Sequence, residues 1–246
     1  MVQKSARSIV GNLFWPMFVL ILATSLVVVL GSGRKDVDSY VEMACAFENK
    51  NLHCVDSIVA WNEGLAFYDK ELSASGDTLG ALKKLLWKYW NIQFAGAGEA
   101  SVSVESVLPL AVLKDGKSGC VGLSWLALMV AETKKIPLQA VLLPGHMFLR
   151  YGCSENRTCV NLEPNREGFS YSDEEYRNKY KEGKWTGFEF MPLSQNQVFG
   201  LAAFNMGNVY LEKDVHQALA WYRMAEEFFP EYPGIKANQA VAKSRL

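Results

Sequence analysis

Cysteine is scarce in this chain, with five residues in 246. That is too few for a disulfide scaffold, and the odd number leaves at least one thiol over if the rest pair. An excess of either charge is missing too. Lys and Arg number 25 against 26 Asp and Glu, a formal net charge of −1. A pI near 6.3 lies well below the range of nucleic-acid-binding domains, which argues against such a partner. Histidine occurs only three times. There is no phosphate loop, no zinc-ligand spacing among Cys and His, and no paired-carboxylate glycosidase pattern, so no metal site is expected. What is there is ordinary globular material, 50% hydrophobic and 12% aromatic. Disordered, collagenous and low-complexity classes are excluded, and the length suffices for one moderate domain or two small ones.

One long apolar run stands out. Leu13–Leu30 carries no charge and as a helix would span roughly 27 Å at ~1.5 Å per residue, close to the thickness of a bilayer core. Lys4 and Arg7 precede it, and Arg34 and Lys35 follow with Asp36 and Asp38 nearby. The amino-terminal charges tip the orientation towards N-in. Gly31-Ser32-Gly33 could serve as a cleavage site, which makes a removable signal peptide the competing reading. The run exceeds the ~7–15 residues of a signal-peptide core, so an uncleaved anchor is expected, with the remainder extracytoplasmic, in the periplasm. The expected division is an anchor or signal sequence over 1–35, a main domain over 36–195 whose first part (36–95) is helical, and a helical tail over 196–246.

Within 36–95 the clearest helical spacing runs through Leu79, Leu82, Leu85, Leu86, Trp87, Tyr89 and Trp90. Ser101–Leu113, rich in Val and Ser with Pro109 inside, reads as a loop or short extended piece. Asp115-Gly116-Lys117-Ser118-Gly119 is a turn signal. Cys120–Lys134 then has almost no polar face, the mark of a buried central helix, and Ile136-Pro137 stops it. Leu138–Leu143, His146–Tyr151 and Thr158–Glu163 read as strands, with Pro144-Gly145 a kink or bulge between the first two. A buried helix followed by an antiparallel sheet describes an α+β domain. In the tail, helical stretches at Phe204–Tyr210 and Ala218–Phe229 flank Glu212-Lys213-Asp214 as a hairpin. Gly207, Tyr210, Ala218, Tyr222, Ala225 and Pro230 fall where tetratricopeptide repeats carry their signature residues. One such repeat either caps the main domain or docks a protein partner.

Cys120 follows Gly119 and opens the buried helix. A thiol at a helix N-terminus meets partial positive charge and unpaired N–H groups, which favour the nucleophilic thiolate. Of the histidines, His53 and His216 lie in polar surroundings, whereas His146 heads a strand inside an apolar stretch. Alternation puts His146, Phe148 and Arg150 on one face, and Cys159, Asn161 and Glu163 on one face of the next strand. Glu163 can accept the second imidazole N–H and orient the ring, and Asn161 could do the same as a neutral group. Asp173-Glu174-Glu175 with Arg177, Lys179 and Lys181 reads as a solvated helix face, and the tryptophans read as core.

Three segments together, Lys117-Ser-Gly-Cys-Val-Gly-Leu-Ser-Trp-Leu-Ala-Leu, Lys135-Ile-Pro-Leu-Gln-Ala-Val-Leu-Leu-Pro-Gly-His-Met-Phe-Leu-Arg and Asn161-Leu-Glu-Pro-Asn, resemble the transglutaminase-like superfamily. The match is to its bacterial SirB1-type branch and covers roughly residues 79–180. The resemblance implies a papain-like α+β core in which nucleophilic Cys120 begins the central helix, with His146 and Glu163 on adjacent strands. It further implies cysteine protease, amidase or acyl-transfer chemistry on peptide amide or isopeptide bonds, with a peptide or protein substrate and no cofactor. The family usually carries Asp at the third place, and Glu163 is one methylene longer.

The remaining cysteines fall in two close pairs, Cys45 with Cys54 and Cys153 with Cys159. Two local disulfides and a free Cys120 suit an oxidising compartment, whereas a reducing one would leave all five as thiols. Direct opposition of Cys153 and Cys159 in a regular ladder would put His146 and Glu163 on opposite faces. A triad therefore requires an irregular loop or bulge. Two alternatives to an enzyme are a non-catalytic, membrane-anchored module that binds a peptide or protein with the same fold plus the repeat hairpin, and a purely structural domain.

Overall fold

The computed structural model describes residues 39–153 and 159–246; the apolar run at Leu13–Leu30 lies outside them, as does Thr158. Among the described residues no helix is long and apolar enough to cross a membrane. Helices and a small sheet surround one long buried helix, the mixed helix-and-sheet arrangement expected of a transglutaminase-like core.

The amino-terminal part is helical but broken. Helix α1 (Tyr40–Phe47) ends before Asn49, which has φ 55°. Helix α2 (Val59–Ser75) stops at Gly76 in the left-handed conformation. Helix α3 (Thr78–Lys84) is capped by the Asp77 side chain and runs on as a wider turn over Leu85–Tyr89. A short helix α4 (Ala97–Ala100) comes first, and Ser101–Leu113, expected to be a loop or short extended piece, instead carries most of α5 (Pro109–Asp115). Pro109 takes the first helical position of α5, where its missing N–H is no loss, so it starts a helix rather than breaking one. A parallel pair, β1 (Gln93–Phe94) with β2 (Lys117–Ser118), ties this region to the turn ahead of the central helix.

That central helix, α6 (Cys120–Lys134), is buried at every residue from Val121 to Ala131. Its carboxyl end is anchored by Glu132, which accepts hydrogen bonds from Ser39 Oγ and the Tyr40 and Val41 N–H groups. The sheet follows in hairpin order: β3 (Leu138–Leu143), β4 (His146–Tyr151) and β5 (Val160–Leu162), antiparallel throughout. Leu143 faces His146, so Pro144-Gly145 is a two-residue hairpin turn rather than a bulge, and Gly145 takes φ 66°. Ala140, Leu142, Met147, Leu149 and Leu162 join the main core, whereas Val141, Leu143 and Phe148 form a second cluster around Tyr176. Tyr176 belongs to α7 (Asp173–Lys179), started by a Ser172–Glu175 capping box.

In the tail the expected helical pair is present as α8 (Gln195–Tyr210) and α9 (Val215–Phe228), and a third helix, α10 (Pro233–Lys243), follows it. Glycines allow α8 to approach its neighbours closely. A Cβ on Gly207 would lie 2.3 Å from the Tyr222 ring, and one on Gly200 would lie 2.5 Å from Phe229 Cβ. Tyr222 and Phe229 are fully buried as a result.

Candidate active site

The loop before Cys120 is locked by a buried serine pair. The Ser106 carbonyl accepts from Gly119 N at 3.0 Å and from Ser118 Oγ at 2.9 Å. Neither of the glycines flanking Cys120 could carry a side chain without contact. A Cβ on Gly122 would sit 2.2 Å from Ser118 Oγ, and one on Gly119 would sit 3.0 Å from the Ser106 carbonyl. Cys120 is thereby fixed as the first residue of α6, partly buried and a free thiol. At this position the first N–H groups of the helix have no intrahelical carbonyl and point towards its amino end.

His146 opens β4 immediately after the Pro144-Gly145 turn and is 7% exposed. Its Nε2 lies 2.9 Å from Glu163 Oε2, so Nδ1 is the ring nitrogen left for the thiol, with which His146 also hydrogen-bonds. The Met147 N–H donates to the same sulfur. Glu163 follows β5 by one residue and is 1% exposed. Its Oε1 accepts from Asn165 N at 3.0 Å, capping the short 3-10 turn Pro164–Arg166, and its Oε2 also accepts from Tyr176 OH at 3.1 Å. The carboxylate is therefore held on three sides before any substrate arrives.

The register explains how the three side chains share a site although two cysteines lie between them. Tyr151 faces Val160, which continues to Phe148 opposite Glu163, and alternation then leaves His146 and Glu163 on one face. Cys153 and Cys159 are bonded beyond the ladder, after Gly152 at φ 71°. Their bond consequently does not set the strand register. Cys45 and Cys54 form the other disulfide, at the end of α1.

The electrostatics follow from these contacts. Burial pushes the Cys120 thiol up, but the hydrogen bond and charge of His146 together with the Met147 N–H outweigh it, and the thiol falls below its ordinary value. Burial would depress His146, yet the hydrogen bonds and charges of Cys120 and Glu163 raise it from 6.5 to about 9. Glu163 is pushed up by burial and pulled further down by His146, Asn165 and Tyr176, so it stays ionised. The site thus favours a thiolate–imidazolium pair backed by a carboxylate.

Asn161 does not orient the histidine. It accepts from Arg150 Nε at 2.8 Å and donates to the Tyr171 carbonyl and to Asp173 Oδ1. Register puts Arg150 opposite Asn161, and the Arg150 guanidinium reaches Asp173 at 2.6 Å. These groups form a polar layer further along the same face, away from the thiol. His53 and His216 are exposed on the surface. Two tyrosines of the site escape a reading from sequence. Tyr176 is the phenol on Glu163, and Tyr180 lies parallel to the His146 ring with centroids 5.7 Å apart. Both phenols are shifted up, first by burial and then by the Glu163 charge. The charged residues around them suggested only a solvated face; the four-residue interval from Tyr176 to Tyr180 is the signal that marks an inward helical stripe.

A cleft of about 160 Å³ opens beside the pair, lined by Cys120, His146 and Met147 on one side and by Leu201, Phe204, Asn205 and Asn208 of α8 on the other. Gly145 and Tyr232 also line a neighbouring pocket of about 350 Å³ that reaches Gly183, Lys184 and Thr186. Among the described residues no group of three His, Cys, Asp or Glu side chains is arranged to hold a metal ion. The arrangement can form a thiolate, hold a protonated imidazole beside it and admit a small extended group to both.

No curated protein and no solved structure matches the chain. The family model of the transglutaminase-like superfamily, however, matches residues 60–199, more than half of the chain and a span that contains Cys120, His146 and Glu163. The chain belongs to the transglutaminase-like superfamily.

Proposed function

We propose that this protein is a cysteine enzyme of the SirB1-type branch, anchored in the membrane by Leu13–Leu30, that cleaves or transfers peptide amide or isopeptide groups outside the cytoplasm. The observation that carries the reading is the hydrogen-bonded chain Cys120–His146–Glu163 beside an open cleft. The Cys120 sulfur attacks the amide carbonyl, forming a C–S bond and placing negative charge on the carbonyl oxygen. The Cys120 N–H, at the start of α6, is a natural donor to that oxygen. The His146 imidazolium gives its proton to the departing amine as the C–N bond breaks, leaving a thioester. Neutral His146 then takes a proton from water, or from an acceptor amine, which attacks the thioester and releases the thiolate. Glu163 holds the ring in register throughout and offsets its charge.

The test is alkylation by iodoacetamide near neutral pH. Cys120 should react about tenfold faster than a free thiol, because a free thiol is only a few per cent ionised there while the thiolate of a low-pKa cysteine is a somewhat weaker nucleophile. His146→Ala should remove the advantage. Reaction at the free-thiol rate, unchanged by that substitution, overturns the mechanism.

A second reading is supported by the α8 wall of the cleft: a non-catalytic module that holds a peptide or protein there, with the tetratricopeptide-like helices docking a partner. In that case Cys120→Ala leaves partner binding intact, while changes at Tyr210 or Tyr222 abolish it.

A further inference from the structure

The far wall of the cleft is built from residues beyond residue 199, where the family match ends. Leu201, Phe204, Asn205 and Asn208 are spaced as one face of α8. Two are apolar and two are carboxamides, and the carboxamides are committed in opposite senses. Asn205 Nδ2 donates to the Leu201 carbonyl at 2.8 Å. A carbonyl can only accept, which fixes the amide orientation and leaves Asn205 Oδ1 as the group available to a ligand. Asn208 is the reverse. Its Oδ1 accepts from Tyr222 OH at 2.9 Å and from Asn238 Nδ2 at 2.7 Å. Both acceptor sites of that oxygen are taken, and the Nδ2 group, with no hydrogen bond among the described residues, is left with its donors.

The cleft that holds the nucleophile therefore carries one acceptor and one double donor a single helical turn apart. We infer that Asn205 and Asn208 form an amide-reading subsite, in which Asn208 Nδ2 donates to a substrate carbonyl oxygen and Asn205 Oδ1 accepts the adjoining N–H. A primary carboxamide offers both partners on one edge, its carbonyl oxygen and its syn N–H, whereas a trans peptide group points the two in opposite directions. An ester offers the carbonyl alone, and a carboxylate would face Asn205 Oδ1 without a proton to give. The Tyr222 and Asn238 contacts make Asn208 rigid, so its donors are oriented before binding. The tail of the chain thus selects the substrate for the core. This inference rests on the proposed function and adds to it the residues that recognise an amide next to the reacting one.

The experiment uses two irreversible probes with the same electrophile, iodoacetyl-glycinamide and iodoacetyl-glycine methyl ester, on the full chain. Saturation kinetics separate the affinity constant KI from the alkylation rate kinact. The native protein should bind the amide probe more tightly than the ester. Asn205→Ala, which removes a side chain hydrogen-bonded only within its own helix, should raise KI for the amide probe about three- to tenfold, the effect of one neutral hydrogen bond. KI for the ester should not change. Asn208→Asp keeps an oxygen for Tyr222 and Asn238, so the helix packing persists, but loses the donors; KI should rise for both probes. In each case kinact should stay within about twofold, because neither residue is expected to touch the sulfur or the imidazole. Equal KI for the two probes in the native protein, or KI unmoved by Asn205→Ala, overturns the subsite. Plain iodoacetamide separates this failure from that of the mechanism: fast labelling of Cys120 that depends on His146 leaves the enzyme reading standing when the subsite fails.

Discussion

Replacing Glu163 by Gln tests one charge with little change of shape. Glutamine keeps the length of the side chain and a carbonyl that can accept from His146 and Tyr176, which now contact Oε2 at 2.9 and 3.1 Å. What it removes is the negative charge beneath the imidazole, together with the oxygen that accepts from Asn165 N–H. His146 stands at about 9 instead of 6.5 despite its burial, which corresponds to roughly 3 kcal/mol in favour of the imidazolium at 1.36 kcal/mol per pH unit. Two negative partners produce that preference, the Cys120 thiolate and the Glu163 carboxylate. The carboxylate is one of these two, so its loss should lower the histidine from about 9 towards 6.5. The assay is the rate of iodoacetamide alkylation across roughly pH 5 to 10. Cys120 supplies the signal because the other four cysteines are bonded in pairs. The native profile should rise first as the ion pair forms, and again near 9 as the imidazolium loses its proton and releases the thiolate. In Glu163→Gln the second rise should move to lower pH, below the native value of about 9. An unmoved second inflection refutes the electrostatic role, and a single inflection at an ordinary thiol value refutes the ion pair itself.

Stability should respond to pH in a way only such a pair produces. Between the unfolded histidine value of 6.5 and about 9, the folded pair holds one proton, on His146. The unfolded pair also holds one, on the cysteine, so the linkage slope of the pair vanishes there. Below 6.5 the unfolded chain binds a second proton and this contribution to stability falls as the pH drops. Cys120→Ser removes the compensation: the raised histidine then contributes stability that is complete below 6.5 and is lost as the pH rises through its folded value. Urea melts of both proteins at several pH values check this, and parallel profiles would contradict it. Gly207→Ala forces a methyl against the Tyr222 ring and should destabilise the tail by about 1–3 kcal/mol, read as a lower denaturation midpoint with an unchanged m-value.

Much of the centre of the molecule was legible in the sequence, and the reasons are local. Cys120–Lys134 has no polar stripe, which leaves a helix no solvent side. Alternation in His146–Tyr151 located the histidine face, and Gly119 before Cys120 marked the helix start. What sequence could not supply is contact between segments distant in the chain. The β1–β2 pair is two residues long on each side and carries no periodicity. Tyr176 was hidden because its neighbours on α7 are charged and exposed, while its own side chain turns inwards to Glu163. Asn161 and Glu163 share a face and differ only in which partner they reach. The strand register decides it: Asn161 lies opposite Arg150 and meets its guanidinium, while Glu163 lies two residues nearer His146. Helix α10 escaped notice because the repeat signature ends at Pro230, whereas Pro233 takes the first position of a further helix.

The enclosure of α6 has a mechanical consequence. A helix packed against neighbours over the whole of Val121–Ala131 has no free direction in which to slide, because interiors this dense resist compression. The sulfur at its head is a stationary post. A substrate must therefore be brought to the sulfur through the gap between α6 and the α8 face, and the two banks of that gap belong to different stretches of the polypeptide.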